Sequence, residues 1–216
     1  MKYLIWFCVP ILFISCSSLT SLPESELKSD YYYFRENGTK YQKVFVEVKE
    51  DSTTITKLDG SSILPNHTNQ KFQKRSFDID VLLVTFKIRP SSYNFPRQIT
   101  TDFNGNVFLG YRSDRYKSHY FKTPLGTVKK FRHRALSIGT FGGIGATSIT
   151  PWTTNYRTTD EYTSLIMSRG LAAMFGVNKI TVGLGIGWDN LTDRDKNIWI
   201  YQNKTWYGLT LSLNLN

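Results

Sequence analysis

Cysteine is scarce in this sequence: of 216 residues only Cys8 and Cys16 carry a thiol, and both lie near the N-terminal end. Everything after Cys16 must hold together without disulfides, a demand that a large hydrogen-bonded sheet can meet. Membrane-length apolar runs are scarce as well, since the apolar stretch Tyr3 to Ile14 is too short for an ordinary spanning helix. Acidic residues are outnumbered, 17 against 27 basic ones, for a formal net charge of +10. Such a surplus ordinarily raises nucleic acid as a partner, but the N-terminus described below argues for export and against nucleic acid.

Catalytic and cofactor motifs are missing too. Gly183-Leu184-Gly185-Ile186-Gly187 lacks the spacing of a dinucleotide fingerprint, and Gly142-Gly143-Ile144-Gly145 is not followed by the Lys-Ser/Thr of a phosphate loop. Both runs suit the inward face of a tightly curved sheet. His67, His119 and His133 lie far apart with no metal-ligand spacing, and no Gly-x-Ser-x-Gly elbow occurs. Asp78 and Asp80 share a strand face as a glycosidase pair would, yet charges facing a barrel lumen are ordinary. The sequence therefore predicts no enzyme, no cofactor, no metal and no catalytic residue.

Aromatic residues are abundant, with 13 Tyr, 14 Phe and 5 Trp, a composition that favours β-structure and interfaces. Met1 to Ser15 has one positive charge at Lys2, an apolar core and a small residue before Cys16, the layout of a secretory signal peptide. Phe13-Ile14-Ser15-Cys16 resembles the lipobox of bacterial lipoproteins, with Phe13 in place of the usual Leu. The resemblance implies that Cys16 is lipidated and becomes the mature N-terminus; a type I signal peptide cut near Ser18 is the alternative. Ser17 to Asp30 is polar, with Pro23 and mixed charge, and reads as a tether. The expected organisation is a signal peptide over 1–15, a lipid-anchored tether over 16–30, and a β-domain over 31–216 that is best defined over 77–216.

The strands announce themselves by alternation. Tyr207, Leu209, Leu211, Leu213 and Leu215 fall on one parity against Gly208, Thr210, Ser212, Asn214 and Asn216, and Ile180, Val182, Leu184, Ile186 and Trp188 alternate with Thr181, Gly183, Gly185, Gly187 and Asp189. Phe77, Ile79, Val81 and Leu83 oppose Asp78 and Asp80, while Val107, Leu109 and Tyr111 oppose Asn106, Gly110 and Arg112. Asp78, Asp80 and Arg112 are thus expected to pair in a polar lumen. Lys122 to Arg134 is strongly basic, read as a solvated strand extension or loop, or as a holder of anionic head groups. Eight candidate strands result: 43–49, 53–58, 77–89, 103–112, 135–149, 165–177, 179–189 and 206–216. Short and long connections alternate, as in outer-membrane barrels. The predicted class is all-β, a small antiparallel up-and-down β-barrel of about eight strands.

The last ten residues, with Gly208, Leu211 and Leu213, resemble the C-terminal signal of Gram-negative outer-membrane barrels, although the usual terminal aromatic is absent. From about Phe77 onward the pattern is similar to small uncharacterised proteins of that class. The resemblance implies membrane lipid and the barrel assembly machinery as partners, with Val182, Leu184, Ile186, Leu209, Leu211 and Leu213 facing lipid. Trp188, Trp199, Tyr201, Trp206 and Tyr207 are then expected at the interfacial level. Two functions fit: an outer-membrane envelope barrel with a structural or surface-interaction role and no large pore, or a lipid-anchored soluble periplasmic barrel holding a small apolar ligand, like lipocalins. Alternation alone does not say which face meets water.

Overall fold

The structure is a computed structural model describing residues 27–36, 39–49, 52–63, 69–92, 95–124, 126–177 and 180–214. Cys16, the signal segment and most of the tether lie outside the described residues. The chain is all-β and antiparallel. Its strands are β1 (Asp30–Glu36), β2 (Gln42–Lys49), β3 (Ser52–Lys57), β4 (Ser62–Ile63), β5 (Gln70–Arg89), β6 (Gln98–Thr100), β7 (Asn104–Thr123), β8 (Gly126–Ile149), β9 (Tyr162–Val177), β10 (Ile180–Leu191) and β11 (Thr205–Asn214).

Six of these close a ring in the order β5-β7-β8-β9-β10-β11, with β11 pairing back on β5 from Tyr207↔Ile88 to Asn214↔Asp80. Sequence alternation predicts eight strands; 43–49 and 53–58 do form strands, as β2 and β3, but outside the ring. The reason lies on one edge of β5. Its upper part is occupied by β11, whereas its first residues pair with β1 (Tyr33↔Gln73 to Glu36↔Gln70), and β2, β3 and β4 add on from there. Tyr32, Phe34, Val44, Val46, Ile55 and Phe72 give this lower sheet an apolar core of its own. The basic stretch 122–134 is largely strand: β7 and β8 pair from Asn104↔Gly145 down to Thr123↔Gly126. β9 leaves β8 at Arg134↔Val177, so the end of the β7–β8 hairpin projects below the ring.

Strand direction defines two ends. Arg89, Asn104, Ile149, Tyr162, Leu191 and Thr205 stand at the upper end, while Thr123, Gly126, Val177, Ile180 and the β1–β4 sheet stand at the lower end. The faces are sorted by the pleat, successive side chains pointing to opposite sides. Outside stand Ile79, Leu109, Ile138, Leu171, Leu184 and Leu209, at least one on every ring strand and each 41% exposed or more. Inside are Leu82, Val84, Phe108, Phe141, Ala172, Met174 and Trp206, an apolar slab across the middle of the ring. Glycine makes the slab fit: a Cβ on Gly187 would lie 2.3 Å from the Trp206 ring, and one on Gly170 2.5 Å from Phe141.

β5 contains one irregularity with large consequences. Its register with β11 steps from Leu209↔Phe86 to Thr210↔Val84, leaving Thr85 as an extra residue whose Oγ1 donates to the Leu209 carbonyl at 3.2 Å. Asp78, Asp80, Leu82 and Val84 point inward below this bulge; above it the parity flips and Lys87 and Arg89 point inward.

Candidate functional site

Above the slab the interior is ionic. Lys87, Arg89 and Asp189 are 1%, 2% and 0% exposed. Lys87 Nζ donates to Asp189 Oδ1 and Oδ2 at 3.0 and 2.9 Å, to Asn104 Oδ1 at 2.7 Å and to Ser168 Oγ at 3.2 Å. Arg89 Nη2 donates to Asp189 Oδ2 at 2.5 Å. Asp189 Oδ1 also accepts from Ser168 Oγ at 2.7 Å and from Trp206 Nε1 at 2.9 Å. The ammonium of Lys87 lies 4.6 Å from the Trp206 ring centroid, close enough for a cation–π attraction. One carboxylate on β10 thus organises two cations and two neutral donors drawn from three other ring strands.

Below the slab lies a second network. Arg112 Nη1 sits 3.6 Å from Asp78 Oδ1, and Arg112 Nε donates to Asp114 Oδ1 at 3.0 Å. His133 Nε2 lies 2.6 Å from the same Asp114 oxygen and its ring stacks on Tyr116 with centroids 4.5 Å apart. Ser137 Oγ donates to Asp78 Oδ2 at 2.5 Å and Ser212 Oγ to Asp80 Oδ2 at 2.6 Å. Asp78, Asp80 and Arg112, expected in a polar lumen, are all buried inside the ring.

The upper mouth is sealed by the loop 192–204. Trp199, Ile200 and Tyr201 pack with Ile149, Ile166 and Leu191. The Arg89 guanidinium lies 5.2 and 5.0 Å from the rings of Trp199 and Tyr201. Backbone bonds tie the loops together: Ile200 N donates to Thr153 O and Asn203 N to Asp189 O, both at 2.9 Å. Asn203 adopts φ 55° to do so, a left-handed conformation that Asn tolerates. Burial pushes the Tyr201 phenol above its ordinary pKa, against the pull of Arg89.

Placement of the expected residues is mixed. Val182, Leu184, Ile186, Leu209 and Leu211 are exposed on the outer face; Leu213 pairs with Val81, and its side chain lies outside the described residues. Tyr207 is 52% exposed, and Trp188 is half-buried with Nε1 donating to Thr205 Oγ1 at 3.0 Å. Trp199, Tyr201 and Trp206 are corrected. All three are buried, the first two under the mouth and Trp206 inside the ring. Trp206 shares the parity of Gly208, Thr210 and Ser212, so the pleat that turns Tyr207 outward turns Trp206 inward. Sequence reasoning missed Lys87, Arg89 and Asp189. A signal existed: in VLLVTFKIR the alternation stalls at Val81-Leu82-Leu83-Val84 and resumes out of phase at Phe86 and Ile88, the mark of a bulge.

This arrangement defines a closed antiparallel ring with two ionic networks inside, separated by an apolar slab, and a band of large apolar side chains outside. The chain matches no protein-family model, no curated protein and no solved structure.

Proposed function

We propose that this chain is a small β-barrel embedded in the outer membrane and lipid-anchored at Cys16, with a structural or surface-interaction role carried by its upper loops rather than by a pore. The six-stranded ring is the up-and-down barrel, and the C-terminal strand with its Gly208, Leu211 and Leu213 is the element offered to the assembly machinery. The observation that carries this reading is the apolar outer band on every ring strand, including Phe77, Ile79, Leu109, Ile138, Leu184 and Leu209.

Burying a side chain of this size is worth about 1.5–3 kcal/mol, so a band of this extent left in water forfeits tens of kcal/mol against a total stability of about 5–15 kcal/mol. Hydrocarbon around the ring removes that cost, and strands of ten residues suffice to cross it. A lipocalin-like cup needs the apolar face inside and room for a ligand. Here the inner face carries Asp78, Lys87, Arg112 and Asp189, and its middle is filled by Phe108, Phe141 and Trp206. The same filling argues against an open channel.

The test removes the anchor. A Cys16→Ala protein that still reaches the envelope is expected to resist alkaline carbonate extraction and to migrate differently on gels with and without boiling. Release as a soluble protein would sink the embedded reading.

A further inference from the structure

Below the apolar band the outer face changes from apolar to cationic within two residues on β8 and four on β7. On β8 Leu136 is followed downward by Arg134 and Arg132, and on β7 Tyr111 is followed by Arg115 and Lys117. The registers bring these cations into line. Arg35 on β1 is opposite Lys71 on β5, Lys71 is opposite Lys117 on β7, and Lys117 is opposite Arg132 on β8. Two residue pairs higher, on the same face, Arg115 is opposite Arg134. Four cations therefore stand side by side across four strands, spanning roughly 14 Å at the usual spacing between strands, with two more directly above.

These residues rim a groove of about 540 Å³. Arg35 leans over the Tyr41 ring at 5.0 Å, and among the described residues none of the six makes an ion pair. The crowding reaches His119, whose pKa is held below its ordinary value by burial, Lys117 and Arg132.

Like charges directly opposite on neighbouring strands destabilise a sheet, so the row costs stability unless an anion lies across it. We propose that this row, Arg35-Lys71-Lys117-Arg132 with Arg115 and Arg134 above it, is a binding site for the phosphates of anionic phospholipid head groups in the leaflet at the lower end of the barrel. The inference rests on the embedded reading, because it needs the row held at headgroup depth. The depth agrees. Arg134 lies two residues and Arg132 four residues below Leu136, about 7 and 13 Å along the strand. With strands tilted by about 40° these become about 5 and 10 Å along the membrane normal. Leu136 itself lies four residues, or about 10 Å along the normal, below Thr140, the middle of the outward apolar span from Leu136 to Ile144 on β8. The two arginines therefore stand about 15 and 20 Å from the centre of the band, where the headgroup layer begins about 15 Å from the bilayer centre. The upper loops mix Asp160, Glu161, Asp193 and Asp195 with Arg157, Arg194 and Lys196, so this one-signed face belongs to the lower end.

The full chain, purified in non-ionic detergent, is titrated with mixed micelles containing phosphatidylglycerol or phosphatidylcholine, and retained lipid is counted by native mass spectrometry. The wild type is expected to retain phosphatidylglycerol at least about ten-fold more tightly, each basic residue near such a surface contributing to the preference. A Lys117→Gln, Arg132→Gln double variant should lose that preference, while Lys196→Gln at the upper end keeps it. In lipid-free micelles the double variant should unfold at the same or a higher temperature, since opposed like charges are relieved; a lower temperature would assign the cations a structural role and overturn the site. Millimolar inorganic phosphate should leave lipid retention unchanged, and complete displacement by it would overturn the lipid assignment in favour of a free phosphate ligand. Equal retention of the two lipids by a carbonate-resistant wild type overturns this inference alone. A wild type that alkaline carbonate washes off phosphatidylglycerol vesicles overturns the embedded reading, and this inference with it.

Discussion

Replacing Asp189 by Asn removes the charge that organises the upper interior and almost nothing else. The amide keeps the shape and can still accept from Ser168 and Trp206 through the oxygen that stands where Oδ1 now lies. The opposite side of the group faces Lys87 Nζ and Arg89 Nη2, where an NH2 now meets two donors. Lys87 retains Asn104 at 2.7 Å. Arg89 loses the acceptor of its one hydrogen bond among the described residues, with Nη1 already without one. Breaking a buried ion pair by removing one partner costs about 3–5 kcal/mol, because the remaining charge is stranded, and here two cations are stranded together.

The complementary variant, Lys87→Met, leaves Asp189 with Arg89, Ser168 and Trp206 and should cost less, about 1.5–3 kcal/mol. Unfolding in urea, followed in detergent micelles by Trp fluorescence, measures each variant and the double variant at unchanged m. The double variant is expected to be more stable than the sum of the singles predicts by at least about 1 kcal/mol, the coupling of residues in one network. Additivity within about 0.5 kcal/mol, or an Asp189→Asn protein as stable as the wild type, would refute the account of Asp189 as the counter-charge of both cations.

Leu211→Arg places a guanidinium on the outer face opposite Val182 and Leu83; on the embedded reading it costs about 2–4 kcal/mol near the midplane and lowers the heat-modifiable fraction in membranes, whereas wild-type levels would contradict the outward assignment. Gly187→Val puts a Cβ 2.3 Å from the Trp206 ring and 2.9 Å from the Arg169 carbonyl and should cost about 1–3 kcal/mol or more, with partial recovery on adding Trp206→Leu; no recovery would show that the backbone contact, not the ring, is limiting. The hydrogen bond from Lys74 holds the Asp30 carboxyl below its ordinary pKa. Its contribution is therefore present above the unfolded value near about 4 and is lost as pH falls through the lower folded value. The pair is exposed, so the effect is under about 1 kcal/mol; Asp30→Asn should flatten the acid limb of the stability curve slightly, and an unchanged limb would count against the pair.

How much of this was legible in the sequence depended on range. Local alternation sufficed for β9, β10 and β11 and for the inward placement of Asp78, Asp80 and Arg112, because the pleat fixes facing residue by residue. Strand length is underestimated where polarity rises without a turn signal: the alternation marks strands only over 103–112 and 135–149, with Lys122 to Arg134 a solvated strand extension or loop, yet β7 and β8 pair down to Thr123↔Gly126. Closure of the ring by β11 on β5 joins residues such as Asp80 and Ser212, a pairing that no local pattern encodes. Diversion of β2 and β3 out of the ring follows from competition for one edge of β5, which appears only once both neighbours are in place. The mouth was misjudged for a related reason. Segment 192–204 has the polarity of an external loop, but Trp199 and Tyr201 fold back onto Arg89, a partner whose inward direction the sequence parity had hidden.

That inward direction hangs on Thr85. With unbroken alternation from Asp78, positions 78 to 88 of even number would face inward, and Lys87 and Arg89 would join Ile79 and Val81 on the outer face while Phe86 and Ile88 turned in. Asp189 would then be buried with Ser168 and Trp206 but no cation, and the outer band would carry two charges. One extra residue reverses both outcomes, at the cost of a local break in the β5–β11 ladder that the Thr85 hydroxyl partly repairs through the Leu209 carbonyl. Losing one ladder hydrogen bond costs about 1 kcal/mol, whereas leaving Asp189 without its cations costs about 3–5 kcal/mol. The balance favours the bulge even before the outer face is counted, so the bulge is the device that keeps the outside of β5 apolar both below and above it while Asp78 and Asp80 below and Lys87 and Arg89 above all turn inward.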